Sequence, residues 1–207
     1  MVLTCSDTSS LVVDKLCDLA GERNIAVSCF YVDFAAREEQ SPTNMLGSLL
    51  KQMVGKLEKI PDEISQIFQD NKEVIGGRGP RVADIVKMLQ AVASLQLTFI
   101  CIDALDECVE SHRPEILDSL RQVIEKSSNT RIFLTGRRHI RGEIDRHLSG
   151  RATVLSIKPN HDDVVGYVRM RLNKDTSLDR MDSSLKDEII KSITENIPET
   201  YVISMMR

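Results

Sequence analysis

Residues Thr98–Cys108 read TFICIDALDEC, and this stretch constrains the fold more than any other. Phe99, Ile100, Cys101 and Ile102 form an apolar, strand-forming run that ends in Asp103, with Asp106 and Glu107 close behind. A buried strand that delivers carboxylates at its carboxyl end belongs in an open parallel sheet, where ligands gather at the C-terminal ends of the strands.

The rest of the chain alternates to match. From Ser9 the residues Val12, Val13, Leu16, Leu19 and Ala20 follow helical spacing and stop at Gly21. Residues 25–34 (IAVSCFYVDF) read as a strand, and Pro42 opens a helix carrying Leu46, Leu49, Leu50, Met53 and Leu57. Further helices are expected after Pro61, around Val82–Leu89, after Pro114, around Ile140–Leu148, after Asn160 and after Asp182, with strands at 97–103, 131–135 and 152–157. Strands separated by helices of this length predict βαβ units and an α/β fold with a mostly parallel sheet covered on both faces. The expected organisation is a core over residues 1–158 followed by the start of a helical region over 159–207.

Composition excludes several classes. The 207 residues carry a net charge of −4, which argues against nucleic acid as a main partner. No apolar run approaches membrane-spanning length, and the polar N-terminus lacks a signal peptide's basic region. Five cysteines without a C-x-x-C pair suggest reduced thiols and a cytoplasmic setting, and the four histidines lack metal-ligand spacing.

Three strand ends carry polar groups: Asp33; then Asp103, Asp106 and Glu107; then Thr135, Gly136, Arg137 and Arg138. An acid that holds Mg²⁺ through water and an arginine that reaches a γ-phosphate would converge on one crevice there. The plainer reading is an acidic turn and helix N-cap with Arg137 and Arg138 as solvated ion-pair partners; both stay open at this point. Asp33 reads as a turn acid, Cys101 as a small core residue, and Met205 with Met206 as part of a core helix. Residues 76–80 (GGRGP) form a loop without the Lys-Ser/Thr pair of a phosphate-binding loop.

The segments SLVVDKL (10–16), CFYVDF (29–34), SPTNMLGSLLKQM (41–53), FICIDALDEC (99–108) and RIFLTGRR (131–138), with the ATVLSI strand (152–157) and the VVGYVRMRL helix (164–172), occur in an order and spacing that resembles, over almost all of the chain, the NACHT and nephrocystin-like N-terminal domains. These are signal-transducing P-loop ATPases, abundant in fungal NOD-like receptors. The resemblance implies a three-layer P-loop NTPase-type parallel sheet with a C-terminal helical tail, and ATP or ADP with Mg²⁺ as cofactor. Asp103 would match the Walker B aspartate that positions Mg²⁺ through water. Asp106 and Glu107 would match the acidic pair, with Glu107 activating water, and Arg137 would match the sensor arginine.

The departures from the family are specific. No G-x-x-x-x-G-K-[ST] motif occurs, and Thr4, Cys5 and Ser6 stand where Gly, Lys and Thr belong, so only the Ser6 hydroxyl is kept for the cofactor. Arg138 stands where the family often has proline. The family's first, Walker A strand is missing from its place between residues 131–135 and 152–157, leaving two exposed edges or a collapsed gap as the expectation. The chain therefore reads as truncated at both ends relative to the family and not an effective ATPase. Self-association or binding to full-length NACHT relatives is expected, with neither nucleic acid nor membrane as partner. The alternatives are a nucleotide-free interaction or decoy module, or a gene fragment without function.

Overall fold

The computed structural model describes residues 5–21, 24–73, 79–148, 152–157, 160–174, 183–195 and 201–206, with side chains omitted for 5–8, 71–73, 157, 174 and 201–206. The elements run α1 (Cys5–Gly21), β1 (Ile25–Tyr31), α2 (Pro42–Val54), α3 (Asp62–Glu73), α4 (Val82–Leu95), β2 (Leu97–Asp103), α5 (Arg113–Lys126) and β3 (Thr130–Gly136). They continue with α6 (Arg141–His147), β4 (Ala152–Ile157), α7 (His161–Lys174), α8 (Ser183–Glu195) and β5 (Tyr201–Met206). The expected loop at 76–80 falls largely outside the described residues.

The fold is α/β, as the alternation predicts. β1, β2 and β3 are parallel neighbours, with Cys29 beside Cys101 and Cys101 beside Phe133. Side chains alternate across the strands. Ile100, Ile102, Ile132 and Leu134 enter the main core with α2, α4, α5 and α6, while Cys101 and Phe133 meet Val13 of α1 on the opposite face. α2 starts where Ser41 caps the Asn44 N–H and Pro42 supplies a preset first turn. Its buried stripe is Met45, Leu46, Leu49, Leu50 and Met53, the spacing of one helical face.

β1 is an edge strand, and two glutamine side chains cover that edge, one against β1 and one just past its end. The Gln52 amide accepts from Cys29 N at 2.9 Å and donates to Cys29 O at 2.8 Å. Gln40 makes the same two-point contact with Asp33, at 3.1 and 3.3 Å. Each amide stands in for the peptide group of a neighbouring strand. Asp33 also caps the short turn Phe34–Ala36 by accepting from Ala35 N, the role of a turn acid.

The far edge departs from expectation. The sheet order is β1-β2-β3-β5-β4, so Tyr201–Met206 lies between β3 and β4, antiparallel to both. Residues 201–206, Met205 and Met206 included, are a strand and not part of a core helix, and the slot is neither collapsed nor open. The reason is backbone demand: β3 and β4 each present a row of N–H and C=O groups that need partners, and a segment rich in β-branched and aromatic residues supplies them. The helical tail is present as α7 and α8 ahead of this strand. No described helix is long and apolar enough to cross a membrane.

Candidate functional site

The backbone turns sharply where β2 ends. Ala104 adopts the left-handed conformation, φ 55° and ψ 43°, the only positive φ among the described non-glycine residues. A β-carbon disfavours this region, so the turn holds about 1 kcal/mol of strain. Its effect is to bury Leu105 completely and to direct Asp106 towards the end of β3.

Asp103 is 4% exposed. Its Oδ1 accepts from Ser9 Oγ of α1 and from Thr135 Oγ1 of β3, each at 2.5 Å. Thr135 in turn accepts from Ala104 N at 2.9 Å, so one hydroxyl ties the turn to the neighbouring strand. A buried carboxylate held this way is satisfied by the protein itself.

A second knot lies beside it. Asp106 Oδ1 accepts from Arg137 N at 3.1 Å, and the Arg137 guanidinium spans Asp106 (3.5 Å) and Glu107 (3.7 Å). The Arg137 side chain is 60% exposed, so water screens these ion pairs and they contribute little to stability. Gly136 makes the approach possible. A β-carbon there would stand 2.5 Å from Ile140 Cδ1 and 3.4 Å from Asp106 Oδ1.

The structure thus brings together Asp103, Asp106, Glu107, Thr135 and Arg137, and leaves Asp33 in its own turn. The hydroxyl that α1 offers to Asp103 is that of Ser9, one turn beyond Ser6; the Ser6 side chain falls outside the described residues. Ser9, Val13 and Leu16 share the sheet-facing side of α1, which brings the Ser9 hydroxyl to Asp103.

Sequence reasoning also missed Arg113. Its guanidinium is buried and forked onto Glu143 of α6 at 2.8 and 2.9 Å, and a third bond reaches Cys108 O at 3.1 Å. This pair fastens the loop after Glu107 to the helix after Arg137. The Arg113 hydrogen bond holds the Glu143 carboxyl below its ordinary range. An arginine directly before a helix-opening proline was the available signal, but nothing in sequence names its partner. His147 likewise meets Asp118 at 3.0 Å and lowers the Asp118 carboxyl.

Ser9, Asp103 and Thr135 offer the oxygens that Mg²⁺ takes, but both hydroxyls already donate to the buried Asp103, which leaves no room for a hydrated ion. A triphosphate fares no better. The chain has no glycine-rich Lys-Ser/Thr loop, and the crevice lined by Ser9, Val13, Tyr31 and Asp103 is too narrow to admit a water molecule. The residues present do not fit the nucleotide's phosphates. Among the described residues no cluster of three His, Cys, Asp or Glu side chains could hold a metal ion by itself.

An α/β protein with carboxylates and an arginine at the carboxyl end of a parallel sheet is thereby defined. Residues 5–137 match the family model described as Nephrocystin 3, N-terminal, and the chain belongs to that family. The match contains every residue of the site and ends at Arg137, whereas β4, α7, α8 and β5 lie beyond it. No curated protein and no solved structure matches the chain.

Proposed function

We propose that this chain is a NACHT-type core, from a signalling ATPase of the kind found in fungal NOD-like receptors, that does not turn over ATP effectively. The observation that carries this reading is the self-satisfied acid end: Asp103 bound by Ser9 and Thr135, and Asp106 bound by Arg137. Asp103 corresponds to the Mg²⁺-positioning acid, Glu107 to the water-activating acid and Arg137 to the sensor. Without phosphate donors these groups serve the fold, and no hydrolytic step is derived through them. Signalling then proceeds by contact, in the cytoplasm, with a second copy or with full-length NACHT relatives.

Calorimetric titration with MgATP and MgADP tests this. The expected result is affinity no tighter than about 1 mM, some 4 kcal/mol of binding free energy. Micromolar affinity that Asp103→Ala abolishes would overturn it and make a nucleotide-gated switch the account. A nucleotide-free interaction module is the second reading, favoured by a crevice beside Asp103 too narrow for a water molecule.

A further inference from the structure

We propose that the slot between β3 and β4 is a strand-exchange site whose second occupant is β5 of another copy of this chain. β5 is antiparallel to both neighbours, in a sheet whose β1, β2 and β3 are parallel. It pairs with Ile132–Gly136 on one side and with Ala152–Ile157 on the other, so β3 and β4 reach each other only through it.

The helix before β5 packs on α7 and lies apart from the main core. α8 has no buried side chain among its described residues, and it exposes Leu185 and Ile193. The main core draws on α2 to α6 and on β1 to β3, with Ala152 of β4 packed at its margin and no described residue of α7 or α8. Withdrawing α8 and β5 therefore removes no described side chain from that core.

An emptied slot does not persist. It would leave two facing rows of unpaired N–H and C=O groups, the strongest template for adding a strand. The segment that this structure shows to fit, in register on both edges, is Tyr201–Met206. In a reciprocal exchange each copy receives from its partner the same ladder that it makes alone, so the paired free energy is conserved. What decides between closed monomer and exchanged dimer is the effective concentration of the tethered strand, on the order of 1 mM. Exchange is then expected as chain concentration approaches that range.

Thr153 and Met205 are register partners across the β4–β5 seam, which allows a direct trap. A chain carrying Thr153→Cys and Met205→Cys, with Cys5 and Cys17 replaced by serine, is oxidised at about 10 and about 500 μM, below and near the tether's effective concentration. The expected products on a denaturing, non-reducing gel are an internally bridged monomer at the low concentration and a disulfide-linked dimer at the high one. Monomer alone at both concentrations overturns the proposal. The unmodified chain, measured by light scattering over the same range, is expected to double in mass. Ile203→Pro, which removes a ladder donor from β5, is expected to abolish that doubling. A dimer that survives Ile203→Pro overturns the proposal too.

Discussion

Ser9 and Asp103 stand 94 residues apart in the chain and 2.5 Å apart in space, joining the first turns of α1 to the end of β2. With Thr135 on the other side, the carboxylate links one helix and two strands. A group placed so is a structural fastener before it is anything else. Asp103→Ala is expected to lower stability by about 2 kcal/mol, since two buried hydroxyls lose their acceptor. Thr135→Val is expected to cost a similar amount, about 1 to 3 kcal/mol, because it strands the Ala104 N–H and takes one donor from Asp103. Asp103→Asn keeps an acceptor oxygen and is expected to lose less than Asp103→Ala. Urea unfolding with an unchanged slope measures all three; an Asp103→Ala chain as stable as its parent would refute the assignment.

Arg113 and Glu143 set the acid sensitivity of the loop between the two knots. Glu143→Gln is expected to cost about 3 kcal/mol, the low end for breaking a buried pair, because Glu143 is partly exposed. Replacing both partners, Arg113→Met with Glu143→Leu, is expected to recover much of that loss. The carboxyl of Glu143 is lowered in the folded state, first by its hydrogen bond to Arg113. A lowered carboxyl contributes stability that is complete above its unfolded value, near 4.5, and that fades as pH falls through the folded value. The stability gap between parent and Glu143→Gln should therefore be constant at neutral pH and close in acid. A gap that widens in acid would exclude the pair as its cause.

How much of this was legible in the sequence depends on the kind of residue. β2 could be read because a strand buried on both faces is apolar throughout and its end is marked by Asp103. α2 could be read because Pro42 and the leucine spacing specify a helix locally. β5 could not: Tyr201–Met206 follows two helices, and in a short apolar run the methionines suit either period. Only its Val, Ile and Tyr content argued for a strand. Ser9 went unread for another reason: a motif aligns residues, whereas its bond to Asp103 joins positions 94 apart in the chain. Arg113 and Glu143 sit 30 residues apart on different helices, and no local pattern pairs them.

The thiols should separate cleanly by burial. Cys101 is 4% exposed, and burial pushes its thiol up to about 12; burial likewise raises Cys108. Cys17 is exposed on α1, and Cys29 is half-buried on the edge strand with its thiol raised by burial. Because the thiolate is the reacting form, alkylation of a Cys5→Ser chain at neutral pH should mark Cys17 first, Cys29 more slowly, and Cys101 and Cys108 only on unfolding. Peptide mass mapping over time gives the order. Early labelling of Cys101 would mean that α1 does not stay on the sheet.

Gln52 governs what the other edge of the sheet can do. Its side-chain amide occupies both the N–H and the C=O of Cys29, so an incoming strand finds that position already filled. Gln52→Leu keeps the volume but frees both groups. The loss of two partly buried hydrogen bonds is expected to cost about 1 to 2 kcal/mol. The larger consequence is association, since an uncovered, β-prone edge templates pairing with another chain. Light scattering should show Gln52→Leu growing past dimers at concentrations where the parent does not. Locking β5 to β4 through Thr153→Cys and Met205→Cys should leave that growth intact, because the two edges lie on opposite sides of the sheet. If the lock suppresses it, association runs through the β3–β4 slot and the glutamine does not guard β1.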